Sequence, residues 1–137
     1  MTEEGKTNAA ADDSAIAAEE IRAAEKLLAT GFPRIALTRA YFAVFHAVRA
    51  RVYAEGLEPR THSGTLHLFN VHFVKTGTYD AATSRLVARL QKFREEADYS
   101  RSFVIDDSGA REEIEAARGL VDRILRDLTE GKESAGP

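Results

Sequence analysis

One stretch, Pro33 to Glu55, constrains the fold more than any other part of the chain. It reads PRIALTRAYFAVFHAVRARVYAE and spreads Ile35, Leu37, Tyr41, Val44, Phe45, Val48 and Val52 over more than one stripe of a helix. A helix apolar around most of its circumference is stable where other helices cover it, so this segment predicts the centre of a bundle. Into the same run the sequence sets Arg39, His46 and Arg49. Seven residues turn a helix by roughly 700°, which leaves Arg39 and His46 about 20° apart in projection and two turns apart along the axis. Arg49 follows His46 at i+3 on the same side. A cationic, titratable line on a covered helix needs a chemical reason.

The flanking segments supply the cover. Residues 1–12 are polar and rich in small residues and read as a disordered tail. The first helix is predicted from Asp13 or Ser14 to Thr30, stopped by Gly31, with Pro33 opening the second at its first helical position. So short a link makes these two helices antiparallel neighbours. Gly56 ends the second helix, and the loop GLEPRTHSG follows. A third helix is expected from about Thr65 to Thr76, a fourth from Asp80 to Tyr99, and a fifth from a cap at Asp107 or Ser108 to Thr129. Residues 131–137 read as a second disordered tail. There is no strand-like alternation, hairpin signal or internal repeat. The fold class is all-α: one domain over residues 13–130, an antiparallel, up-and-down bundle of four to five helices. Phe69, Phe73 and Tyr79, added to the apolar second helix, suggest more apolar surface than one bundle buries, and hence a symmetric homodimer.

Charge is distributed unevenly. Residues 33–101 hold eleven Lys and Arg against six Asp and Glu, whereas residues 1–32 hold three against seven and 102–137 five against nine. A basic middle between acidic flanks suits an anionic ligand such as RNA or a nucleotide, although helices with alternating surface charge give the same totals. The chain has no cysteine, which removes disulfides, thiolate metal sites and thiol nucleophiles and fits a reducing cytoplasm. No apolar run reaches the length of a membrane span. His67 and His72, five residues apart, do not share a helix face as an i,i+4 pair does, so neither a metal site nor any other cofactor is expected. The candidates left are Arg39, His46 and Arg49 on the second helix, the Arg60–Thr61–His62 loop, and Arg94, Asp98 and Tyr99 near the end of the fourth. An imidazole can move the proton of a ribose hydroxyl, and a guanidinium fork can hold a phosphate. The same residues also admit a structural account, with His46 donating to a core carbonyl and Arg39 paired to an acid such as Asp98.

The segments RAYFAVFHAVRARVYAEG, PRTHSG, LFNVHFVKTG and LQKFREEADY, in that order, resemble the HEPN family in its small stand-alone prokaryotic branch. The likeness runs from about residue 14 to 128. Tyr41, Phe45-His46-Ala47, Thr61-His62-Ser63-Gly64 and Ala97-Asp98-Tyr99 carry it. It implies an antiparallel helical bundle, frequent homodimerisation, and pairing with a minimal nucleotidyltransferase in toxin–antitoxin modules. Many members are metal-independent endoribonucleases with an Arg-x4–6-His motif. Arg39-x6-His46 and Arg60-x6-His67 meet that spacing, while the late position usual for the motif reads Arg94-x4-Tyr99, with tyrosine in place of histidine. On this reading Arg39 holds phosphate and His46 is the acid/base. Arg49, Arg60, Thr61, His62, Arg94, Asp98 and Tyr99 line the substrate cleft. The alternatives are a non-catalytic, nucleotide-binding partner of a nucleotidyltransferase and a structural helical adaptor.

Overall fold

The computed structural model describes residues 1–100 and 103–134. Among them are five α-helices and no strand: α1 (Glu3–Ala29), α2 (Pro33–Ala54), α3 (His62–Phe69), α4 (Ala81–Tyr99) and α5 (Asp107–Ser134), with α3 running on into a π-helical turn at Asn70–Val74. The all-helical bundle is the fold class that the sequence predicts. α2 is its centre and packs against every other helix.

Local chemistry fixes most boundaries. The Thr2 hydroxyl accepts from the Gly5 N–H and caps α1, and Asp80 caps α4 by accepting from Thr83 N–H. After α1, Gly31 takes φ +92°, so that Gly31 N–H reaches Leu28 O and Phe32 N–H reaches Leu27 O. This paired closure needs a left-handed residue, which glycine supplies without a Cβ penalty. Thr61 caps α3 by accepting from Gly64 N–H, and a Cβ at Gly64 would lie 2.7 Å from the Thr61 hydroxyl, so the Thr-x-x-Gly spacing is a steric requirement.

Several boundaries differ from those predicted. α1 begins at Glu3, so residues 3–12 are helical; the Met1 ammonium binds Glu58 Oε1 at 3.0 Å and Lys6 Nζ donates to Gly56 O at 2.7 Å, pinning this end to the α2–α3 loop. α3 starts at His62, three residues early, because its cap is Thr61. Asp106 caps α5 in place of Asp107 or Ser108, accepting from Gly109 N–H at 2.6 Å. α5 continues through residues 131–134, and residues 135–137 of the expected tail lie outside the described residues.

Ala36, Ala40, Ala43, Ala47 and Ala50 recur on α2 at spacings of four and three and are fully buried. α1 buries Ala10, Asp13, Ala17, Ile21 and Ala24. Small residues on both stripes let the two axes approach closely, and Tyr41, Val44, Val48 and Val52 fill the rest of the core around α2. Phe69, Phe73 and Tyr79 are also buried, within the bundle itself, so they do not add to an apolar surface. The exposed large apolar residues include instead Phe32, Ile35, Tyr99 and Val104. No helix among the described residues is long and apolar enough to cross a membrane.

Candidate functional site

One line of α2 stays half-open. Ile35, Arg39, Phe42, His46, Arg49 and Tyr53 recur at spacings of four and three, and each retains some exposure while the opposite arc is closed. The neighbouring helices bring their polar residues to this line: α1 contributes Asp13 and Glu20, α3 contributes His62, and α4 contributes Arg94.

Asp13 lies in the buried stripe of α1 with only 3% of its surface exposed. His46 Nδ1 lies 2.8 Å from Asp13 Oδ1, Arg49 Nη2 donates to the same oxygen at 2.9 Å, and Arg49 Nε donates to Oδ2 at 2.9 Å. Burial pushes the Asp13 carboxyl upward. The hydrogen bonds and positive charges of His46 and Arg49 outweigh that push and hold it below its ordinary value of 3.8. The carboxylate is therefore ionised at neutral pH and accepts from both partners. The same bonds raise the Arg49 guanidinium, chiefly through the Asp13 hydrogen bond.

Phe45 is the hub on the other side. The His62 ring stacks on it at 4.0 Å with the planes 2° apart, the His46 ring meets it edge-on at 5.7 Å, and the Arg49 guanidinium sits 5.2 Å from its centre. His62 Nε2 also hydrogen-bonds the buried Tyr41 hydroxyl. Burial lowers the His62 pKa, and the charges of Arg94 and Arg49 lower it further, so the ring is neutral at pH 7. Burial pushes Tyr41 up to about 12, with the Arg94 charge opposing and the Glu95 charge adding, so its hydroxyl stays protonated. Arg94 lies 5.2 Å from the Phe42 ring and 6.0 Å from the Tyr41 ring, and Arg39 lies 5.0 Å from Phe42. Guanidinium and aromatic groups thus adjoin in one series that runs from Arg39 through Phe42 and Arg94 to the rings of Tyr41, His62 and Phe45 and ends at Arg49.

The structure gathers His46, Arg49, His62 and Arg94 on this face. Arg39 shares Phe42 with Arg94 but pairs with Glu20, its Nη1 lying 3.2 Å from Oε2. Neither acid partner is the one suggested by sequence: Asp98 pairs with Arg94 at 3.5 Å, and His46 meets a carboxylate where a carbonyl was considered. The Thr61 hydroxyl is committed to the α3 cap. Arg60 is exposed in the α2–α3 loop beside Glu58, and Tyr99 is 85% exposed at the end of α4. The sequence reading missed Asp13, taken there as a helix start, and the ring surfaces of Phe42 and Phe45. A signal for Asp13 was present, since it falls on the spacing Ala10, Asp13, Ala17, Ile21, Ala24, an acid in an otherwise apolar stripe. Among the described residues no group of three or more His, Asp or Glu side chains could hold a metal ion.

A cavity of about 790 Å³ lies elsewhere, between the first turns of α1 and the end of α5, with Ala10, Ala11, Ala15, Ala54, Leu125 and Leu128 among its walls. Its cation, Arg51, pairs with Glu55 and stacks on Phe73, and no imidazole is among its walls.

A family model described as the HEPN domain matches residues 14–130. A Methanocaldococcus jannaschii protein named "Putative toxin" is 33% identical over 119 residues, covering 84% of this chain and 85% of its own length. A UPF0332 protein of Thermotoga maritima is 34% identical over 89 residues, 65% of this chain and 67% of its own. A second Methanocaldococcus jannaschii protein of the same toxin name is 29% identical over 89 residues, 65% of this chain and 60% of its own.

Proposed function

This chain belongs to the HEPN domain family, and from that premise we propose that it binds RNA along the half-open line of α2 and cleaves it without a metal. It acts as the toxin of a toxin–antitoxin pair, works as a homodimer, and has a minimal nucleotidyltransferase as its antitoxin. The observation that carries this reading is the convergence of two imidazoles, His46 and His62, and two guanidiniums, Arg49 and Arg94, around the adjoining rings of Phe45 and Tyr41. The toxin name of the Methanocaldococcus jannaschii relatives supports the biological role.

His46 is the acid/base. It takes the proton of a ribose 2′-hydroxyl as that oxygen attacks the adjacent phosphorus and the bond to the 5′ oxygen breaks. The 5′ oxygen leaves with a proton from the imidazolium so formed, and the products are a 2′,3′-cyclic phosphate and a 5′-hydroxyl end. Arg49 and Arg94 hold the phosphate and its developing charge, while Arg39 and Arg60 hold flanking phosphates. His62, Thr61, Asp98 and Tyr99 line the approach. A short single-stranded RNA incubated with purified protein in EDTA tests this. Wild type cuts, and His46→Ala, still helical by circular dichroism, loses roughly 10²–10⁴ in rate. A folded His46→Ala that cuts as fast as wild type overturns the assignment.

A second reading is binding without cutting. It is favoured by Tyr99, an exposed phenol where the family's late motif carries histidine, because a phenol is less suited than an imidazole to general acid–base work near neutral pH. On that reading wild type retards the RNA in a gel and leaves it intact.

A further inference from the structure

The groups named above as acid/base and phosphate holder, His46 and Arg49, sit on the same helix, but neither is oriented by that helix. Both point at one carboxylate on α1, thirty-three and thirty-six residues earlier in the chain. Asp13 interrupts a stripe otherwise made of alanine and isoleucine, and its side chain is 5% exposed, against 19% for His46 and 34% for Arg49. A carboxylate so far out of water, holding three hydrogen bonds in one place, is anchored by the α1–α2 packing, while its two partners stay free enough to meet a ligand.

We propose that Asp13 is the positioning residue of the site, setting the tautomer of His46 and the plane of Arg49 from α1. This rests on the reading of His46 and Arg49 given above. The ionised carboxylate has no proton to give, so the 2.8 Å contact requires His46 to carry its hydrogen on Nδ1. In the neutral ring the lone pair is then on Nε2, the nitrogen turned away from α1 and the one that can take a hydroxyl proton. Arg49 is gripped through Nε and Nη2, in the two-pronged geometry of a guanidinium–carboxylate pair, which leaves Nη1 and the second Nη2 hydrogen for an outer anion. One buried acid therefore aims the base and the anion holder together. Its side chain makes no contact with RNA.

The tautomer can be read without any RNA. In long-range ¹H–¹⁵N correlation spectra of the full chain at about pH 8, wild-type His46 should show the Nδ1–H form, whereas a ring with no such acceptor favours Nε2–H. Asp13→Leu keeps the side-chain size and removes the acceptor. It should convert His46 to Nε2–H or a mixture and lower kcat by up to about 10⁴-fold, by analogy with the loss of other histidine-orienting carboxylates. Asp12→Asn, an exposed neighbour, should change neither. A wild-type His46 already in the Nε2–H form overturns the proposal even if Asp13→Leu fails to fold, and so does a folded Asp13→Leu with wild-type tautomer and rate. A protein that neither binds nor cuts RNA ends the reading of function instead, and leaves the tautomer measurement to decide the role of Asp13.

Discussion

Replacing Asp13 by alanine tests the energetics of the polar cluster apart from any activity. The substitution removes three charge-assisted hydrogen bonds, each typically worth about 1.5–3 kcal/mol. They do not count equally. Arg49 is 34% exposed and can turn to water, so its two bonds are discounted to about 0–1 kcal/mol together. His46, at 19%, keeps a stranded Nδ1 facing an apolar seam and loses about 2–3 kcal/mol. Alanine's better helix propensity returns about 0.5 kcal/mol. The net expectation is a loss of about 1.5–3.5 kcal/mol at pH 7, and a melting temperature lower by about 5–12 °C for a chain of this size. The folded-state pKa of Asp13 lies below 3.8, so its contribution is fully present above that value and is lost as pH falls through the folded one. The gap between wild type and Asp13→Ala in urea unfolding should therefore shrink as pH falls below 3.8. A gap under about 0.5 kcal/mol at pH 7, or one that persists undiminished well below pH 3.8, refutes the account.

Further expectations follow from the same geometry. Arg94→Gln removes a charge that holds the His62 pKa down, so an NMR titration should find His62 titrating at higher pH in the variant; an unchanged or lower value would contradict the neighbourhood described. Arg39, Arg49, Arg60 and Arg94 give four candidate phosphate contacts, so the logarithm of affinity for single-stranded RNA should fall against that of salt with a slope of about −3, and each Arg→Gln should flatten it by roughly 0.7. Salt-independent binding would favour the adaptor alternative. Tyr79→Phe removes the hydrogen bond that the buried hydroxyl donates to Asp127 at 2.7 Å but leaves that carboxylate its ion pair with Arg123, and should lower stability by about 0.5–1.5 kcal/mol in thermal melts without touching RNA affinity.

The sequence by itself determined where α1, α2 and the π-helical end of α3 stop, and which helix is central. Gly31, Gly56 and Gly77 each take positive φ at the predicted stops, and the composition of α2 allowed no position other than the middle. These are local effects: the left-handed turn needs glycine, and an apolar circumference needs cover. The start of α1 was not legible, because its first turns hold through contacts between Met1 and Glu58 and between Lys6 and Gly56, which no local pattern encodes. The site divides in the same way. The helical period alone places Arg39, His46 and Arg49 on one line of α2. Their partners came from packing, with Glu20 and Asp13 from α1, His62 stacked from α3, and Arg94 laid over Phe42 and Tyr41 from α4. Spacing along a chain fixes which side chains share a face of one helix. Which charge meets which across a bundle depends on the axial register of helices packed on alanine seams, and only the tertiary structure sets that register.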